Sequence, residues 1–227
     1  MTERPENDAA RPAEISRFSD AYLMALLAGD EVAAELAIRE AMDARFTIAD
    51  IDHQIIAPAM WFIGELWEKG EISVADEHLA SEITVRVLAL QREAGRVMRG
   101  RADRSVLLAT PEGELHVIAL RMVSNLLREA GYEVVTLGAD VPPEALGRAA
   151  GRWQPDVVAL STTMPGGGDQ VLISMYEVQQ RRPEATFVIG GRGVTSRVRA
   201  GPGVEICERV SEVVEAVDAL VQRAALN

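Results

Sequence analysis

Apolar residues recur at helical spacing through residues 15–97: Phe18, Tyr22, Ala25 and Leu26 lead into runs over 32–42, 48–66 and 74–97. Gly29-Asp30, Thr47 and the Gly70-Glu71 turn punctuate these runs. Four helices joined by short turns predict an N-terminal four-helix bundle. The period changes near residues 100–104, which interrupt both the helical and the strand patterns. Beyond them, short apolar runs at 105–110, 133–137, 156–161, 186–189 and 204–207 alternate with amphipathic segments that begin near His116, Pro143, Asp169, Val194 and Ser211. That alternation predicts a doubly wound parallel sheet with right-handed crossovers, a Rossmann-like (flavodoxin-like) α/β domain. The fold class is α+β in two domains. Residues 1–13, polar and proline-containing, are expected to be disordered; the bundle takes 14–100 and the α/β domain 101–227.

Composition narrows the function classes. The net charge of -12 opposes non-specific binding to nucleic acid, and no helix-turn-helix or zinc-finger pattern is present. No apolar run reaches the roughly 18 residues of a membrane span, and the first residues lack a signal-peptide pattern. Cys207 is the single cysteine, so no internal disulfide can form and a reducing cytoplasm is the expected compartment.

The segment Thr110-Pro-Glu-Gly-Glu-Leu-His116 carries the most telling chemistry. It follows a strand pattern, turns at Pro111 and Gly113, and sets His116 at the expected start of a helix, where first-turn N–H groups disfavour an imidazolium. A neutral imidazole ligates metals, and Glu114 is placed to bond the other ring nitrogen and fix the tautomer. No second Cys, His or acidic cluster of ligand spacing lies nearby, so a tetrahedral protein zinc site is excluded. His116 therefore either ligates a metal whose other ligands come from a cofactor, or is a helix-start histidine satisfied by its neighbours. Gly166-Gly167-Gly168 reads either as a loop that admits a large flat ligand or as a loose helix entry.

From Glu114 onward the chain resembles the cobalamin-binding domain. Glu114-Leu115-His116-Val117-Ile118-Ala119, then Ser161-Thr162-Thr163, then Gly190-Gly191 follow that family's spaced motifs, with Glu114 in place of the usual Asp and Ala119 in place of the usual Gly. The resemblance implies that His116 replaces the cofactor's own benzimidazole as lower cobalt ligand. It also implies that Ser161, Thr163, Gly190 and Gly191 line the path of the cofactor's tail.

In the helical half, Trp67 is followed after nine residues by Glu77-His78. Each has a bland reading, as helix-end packing or a solvated first turn. Together with the downstream domain, the spacing resembles cobalamin-dependent photoreceptors related to the light-sensitive repressors of carotenoid genes. That resemblance implies adenosylcobalamin as cofactor, with Trp67 packed on the adenosyl group and Glu77 and His78 supporting it. The characterised repressors carry a histidine after the tryptophan that captures cobalt once light removes the adenosyl group; Glu68 stands there in this chain. His53 lies mid-helix without an evident partner and reads as a surface residue.

The chain also looks like the photocobilins, in which a linear tetrapyrrole accompanies the corrinoid. Cys207 either forms a thioether with such a bilin or is a small core residue at a strand end. A bilin such as biliverdin is expected to be held non-covalently, with Arg192, Arg197 and Arg199 as candidates to pair its propionates.

The expected function is a light sensor rather than an enzyme, acting by loss of adenosyl contacts. A homo-oligomer, most simply a dimer, and a downstream effector protein of unknown identity are the expected partners. The alternative is the corrinoid shuttle of a methyltransferase system. A structural adaptor with an empty α/β domain is the third class.

Overall fold

The structure, a computed structural model, describes residues 11–94 and 101–226. The chain forms two compact units, Met1–Gly95 and Arg96–Asn227.

In the first unit α1 (Arg11–Ala28), α2 (Glu31–Asp43), α3 (Ile48–Ile51), α4 (Ala57–Glu68) and α5 (Val74–Ala94) make four helical rods, because α3 runs through a π turn at Asp52–Ile56 into α4. The starts are capped as their sequences direct. Asp30 accepts from Ala33 N at 3.0 Å, and Thr47 and Asp50 cap reciprocally at 3.1 Å in both directions. The π turn was not predicted. Pro58 lacks an N–H and cannot close the usual turn, and the Ala57 N–H reaches back to Asp52 O instead. Phe18, Tyr22, Ile51, Ile55, Ile56, Ile63, Ile83 and Leu88 form the core of this unit.

One expectation for this region changes. Residues 11–13, assigned above to a disordered N-terminus, begin α1: proline is tolerated in a first turn, and the Arg11 guanidinium lies 4.7 Å from the Phe46 ring centroid. Residues 1–10, and residues 95–97 of the last predicted helix, lie outside the described residues.

The second unit is a five-stranded sheet in the order β2-β1-β3-β4-β5, all neighbours parallel. Its strands are β1 (Arg101–Pro111), β2 (Tyr132–Val141), β3 (Val157–Ser161), β4 (Thr186–Gly190) and β5 (Val204–Cys207). Its helices are α6 (Ile118–Glu129), α7 (Pro143–Trp153), α8 (Gly167–Gln179) and α9 (Val213–Ala225). Residues 101–104 belong to β1 rather than to a break. Their charge hid the strand, whose edge is tied by Arg104 to Asp156 at 2.9 Å and by Ser105 N to Asp156 at 2.7 Å. The helix expected near Val194 does not form. Gly191 at φ +105° and the Gly201, Pro202 and Gly203 cluster favour turns, and Val198, with Val194 packed against the same core, anchors the loop.

Leu107, Ala109, Val158, Leu160, Phe187 and Ile189 pack one face of the sheet. The strand order reverses between β1 and β3, and the loops leaving their carboxyl ends bound the crevice where open α/β sheets bind ligands. Leu107 is fully buried in β1, an interior strand of the sheet. Leu107→Ala is expected to lower the stability of this unit by about 2–5 kcal/mol in urea unfolding, whereas Val32→Ala on the exposed face of α2 shifts stability by less than about 0.5 kcal/mol.

Candidate functional site

The site is built on a carboxylate that the fold takes out of water. Glu114 is 3% exposed, in the loop between β1 and α6. Its Oε1 accepts from His116 N at 2.9 Å and from His116 Nδ1 at 2.5 Å. Oε2 accepts from Thr163 N at 2.6 Å and Met164 N at 3.0 Å, with Thr162 Oγ1 at 3.5 Å. One side chain therefore joins the loops after β1 and β3 across the reversal of strand order.

Burying a carboxylate costs several kcal/mol unless donors replace its water. Burial pushes the Glu114 carboxyl up, but the bonds from His116, Met164 and Thr163 outweigh it and hold it at about 2, against an ordinary 4.5. An ionised carboxylate only accepts, so Nδ1 carries the proton, and in the neutral ring the lone pair lies on Nε2. The His116 side chain is 53% exposed. The sequence placed His116 at a helix start; α6 begins instead at Ile118, so His116 lies before the helix and its orientation comes from Glu114 rather than from first-turn N–H groups.

The other residues singled out in this unit converge on the same edge. Ser161 closes β3 in register with Gly190 at the end of β4, and Thr163 gives its N–H to Glu114. Thr162, missed in the sequence, ties the loops together: its N donates to Gly190 O at 3.0 Å and its O accepts from Gly193 N at 2.9 Å. The glycines answer to this packing. A Cβ on Gly191 would lie 2.1 Å from Thr162 O, and one on Gly167 would lie 1.8 Å from Thr162 Oγ1. Gly166 at φ +88° has open space where a Cβ would stand.

Trp67, Glu77 and His78 belong to the helical unit. Trp67, 47% exposed, is next to last in α4, and the turn that follows is closed by Gly70 at φ +71°. Ser73 and Asp76 cap the start of α5, with Ser73 N and Oγ donating to Asp76 Oδ2 at 2.9 and 2.7 Å. Glu77 then accepts from Ser81 Oγ at 2.9 Å and contacts His78 Nδ1 at 2.6 Å, so the Glu-His pair is held on the helix before anything binds. Glu68 ends α4, and His53 is exposed on the π turn. Cys207 is buried; burial and then the neighbouring Glu212 and Glu205 push its thiol up to about 11. The Arg197 guanidinium is paired with Asp169 at 2.8 Å.

A five-stranded parallel α/β unit with a carboxylate-oriented histidine at its strand-order reversal belongs to the class of α/β binding domains that take a ligand at the carboxyl ends of their strands. Family models described as B12 binding domain match residues 104–218 and 19–90. The chain belongs to the B12-binding family and is a cobalamin-binding protein. It is 33% identical over 184 residues to the HTH-type transcriptional repressor CarH of Myxococcus xanthus, covering 80% of this chain and 55% of that protein. The chain thus spans little more than half of that relative's length. It is 26% identical over 203 residues to trimethylamine corrinoid protein 2 of Methanosarcina acetivorans, covering 85% of this chain and 91% of that protein. The fold matches the structure of the Methanosarcina barkeri monomethylamine corrinoid protein with a TM-score of 0.74 at 19% identity, over 89% of this chain and 98% of that one. The donor set fits a corrinoid: His116 could hold its cobalt through the imidazole, and the corrin ring would supply the ligands this chain does not. Among the described residues, no group of three His, Cys, Asp or Glu stands ready to hold a metal by itself. No helix among them is long and apolar enough to cross a membrane.

The depressed Glu114 carboxyl fixes the sign of an acid effect. Its stabilisation is fully present above about pH 4.5 and is lost as pH falls towards about 2, because the unfolded chain takes up the proton first. Melting temperature is expected to fall across that window more steeply in the cofactor-free wild type than in Glu114→Gln. Equal slopes would show that the carboxylate does not carry this linkage.

Proposed function

We propose that this chain is a cobalamin-dependent light sensor in which His116 Nε2 ligates cobalt from below and Trp67, Glu77 and His78 contact an adenosyl group above. Adenosylcobalamin supplies a cobalt–carbon bond weak enough for visible light to break. Glu114 holds the His116 ring in the tautomer that offers Nε2. Ser81 and Glu77 hold His78, and Trp67 offers an indole face at the end of α4.

The observation that carries the sensor reading is this exposed tryptophan with a pre-braced Glu-His pair. These groups are not needed for the core of the helical unit, yet Glu77 and His78 are braced by local contacts along α5. The similarity to CarH supports the reading. Contacts made only with the adenosyl form give the two states different stabilities, and a differential of a few kcal/mol suffices for a switch. Assembly state is the proposed output: a homo-oligomer, most simply a dimer, whose interface changes on illumination and is passed on to a downstream effector.

A bilin, where present, is held without a covalent bond, since the Cys207 thiol is buried and pushed up to about 11. With Arg197 engaged by Asp169, exposed Arg199 is the better candidate for a propionate. The second reading, a corrinoid shuttle for methyl transfer, is favoured by the match to the trimethylamine corrinoid protein over nearly its whole length.

Titration with adenosylcobalamin and methylcobalamin, followed by absorbance in the dark and after illumination, separates the two. The sensor prefers adenosylcobalamin, and Trp67→Ala erases most of the preference; equal affinities together with methyl transfer to an added partner would establish the shuttle. His116→Ala is expected to weaken binding or to leave cobalamin bound without the spectrum of a nitrogen-ligated lower face. Size-exclusion chromatography of loaded protein, dark and lit, is expected to show different elution volumes, and coincident profiles after confirmed photolysis would remove assembly as the output.

A further inference from the structure

The loop that carries Glu114 and His116 is held by a residue at the end of the neighbouring strand. Asp140 has φ +53°, in the left-handed region, which costs a non-glycine residue on the order of 1 kcal/mol. Three hydrogen bonds are made there. Asp140 Oδ1 accepts from Gly113 N at 2.7 Å, and Asp140 N donates to Glu114 O at 3.0 Å and lies 3.1 Å from Thr110 Oγ1. The Thr110 hydroxyl, fully buried, donates to Glu114 O at 2.5 Å.

This clasp sits where the parallel register of β1 and β2 breaks, between Ala109↔Gly138 and Pro111↔Val141. The break turns the ends of the two strands so that a side chain on one can grip the loop leaving the other. Gly113 itself has φ +82° and open space around the position of a Cβ, so this part of the loop gains no packing from a side chain. His116 lies ahead of α6, whose N-cap Val117 makes no side-chain capping bond.

We propose that Asp140 is a positioning residue for the lower axial ligand: it fixes the backbone of residues 112–117 so that Glu114 and His116 are already aligned when cobalamin arrives. The inference rests on the reading of His116 as cobalt ligand and adds to it a residue outside the Glu-x-His motif. The Asp140 carboxylate acts through the Gly113 N–H and the Glu114 backbone, and touches neither imidazole nor metal.

Two substitutions separate backbone strain from side-chain grip. Asp140→Gly relieves the left-handed φ and removes the acceptor; Asp140→Asn keeps an acceptor oxygen on a residue that tolerates the same φ. Both are made in the full chain, beside His116→Ala, and titrated with hydroxocobalamin by absorbance. Amide hydrogen exchange of the cofactor-free proteins reports on residues 112–117.

The expected result for Asp140→Gly is a melting temperature at or above wild type, faster exchange in the loop, and an affinity about 10-fold lower with less nitrogen-ligated spectrum. Asp140→Asn is expected to restore both. Wild-type affinity and spectrum in Asp140→Gly, while His116→Ala is impaired, would overturn this inference alone. If Asp140→Asn is as impaired as Asp140→Gly, the acceptor is not what matters and the clasp is wrong. If His116→Ala binds and absorbs as wild type does, the ligand reading falls and the positioning role falls with it.

Discussion

One buried carboxylate organises the α/β unit's functional edge. Glu114 receives the N–H groups of Thr163 and Met164 from one loop, and the N–H and Nδ1 of His116 from its own. Two loops that the sheet merely brings near each other thereby become one surface. Without it, the backbone N–H groups of His116, Thr163 and Met164 would lose the acceptor that joins them. The same bonds keep the group ionised, and ionisation in turn determines which nitrogen of His116 holds the proton. Fold stability, loop geometry and ligand chemistry meet in this side chain.

The crowding around it explains the glycines better than ligand approach does. Gly167 and Gly191 are needed because Thr162 occupies the space a side chain would take, and Gly193 because Met164 O would lie 2.4 Å from its Cβ. Close backbone contact between the loops after β3 and β4 is what lets Thr163 and Met164 aim their N–H groups at Glu114. The glycine motifs and the Glu-x-His motif, some fifty to eighty residues apart in the chain, are parts of one packing arrangement.

The apolar periods of the sequence carried the four helical rods and the five parallel strands, because both report on which face is buried. Where period and burial part company, the sequence misled. Residues 101–104, three of them charged, lie within β1, and the Val194 segment has helical composition between glycines that favour turns. Arg11 joins α1 partly through Phe46, a contact 35 positions away that no local pattern contains. The site residues with distinctive side chains, Glu114, His116, Ser161, Thr163, Gly190 and Gly191, were legible and are brought together. Thr162, Met164 and Asp140 were not, since Met164 acts through a backbone N–H that every non-proline residue has, Thr162 chiefly through backbone groups and as a filler of space, and Asp140 through a strained φ that appears only when β1 and β2 lose register.

The Glu114–His116 pair favours neither proposed reading over the other, because an imidazole held in one tautomer suits any use of a corrinoid. Under either reading, discrimination falls to the proposed contacts of the helical unit. In the helical unit those are few: Trp67 at the end of α4, Glu68 beside it, and Glu77 with His78 one turn into α5. Their ordering is local. The Gly70 turn, the Ser73–Asp76 cap and the Ser81 hydroxyl fix them through contacts within about a dozen residues. A region organised this locally can change by a few substitutions while the core of the bundle stays intact. Glu68, carboxylate rather than imidazole, is where this chain departs from the repressor pattern. Under the sensor reading, the proposed loss of an adenosyl group would therefore proceed without that imidazole beside Trp67.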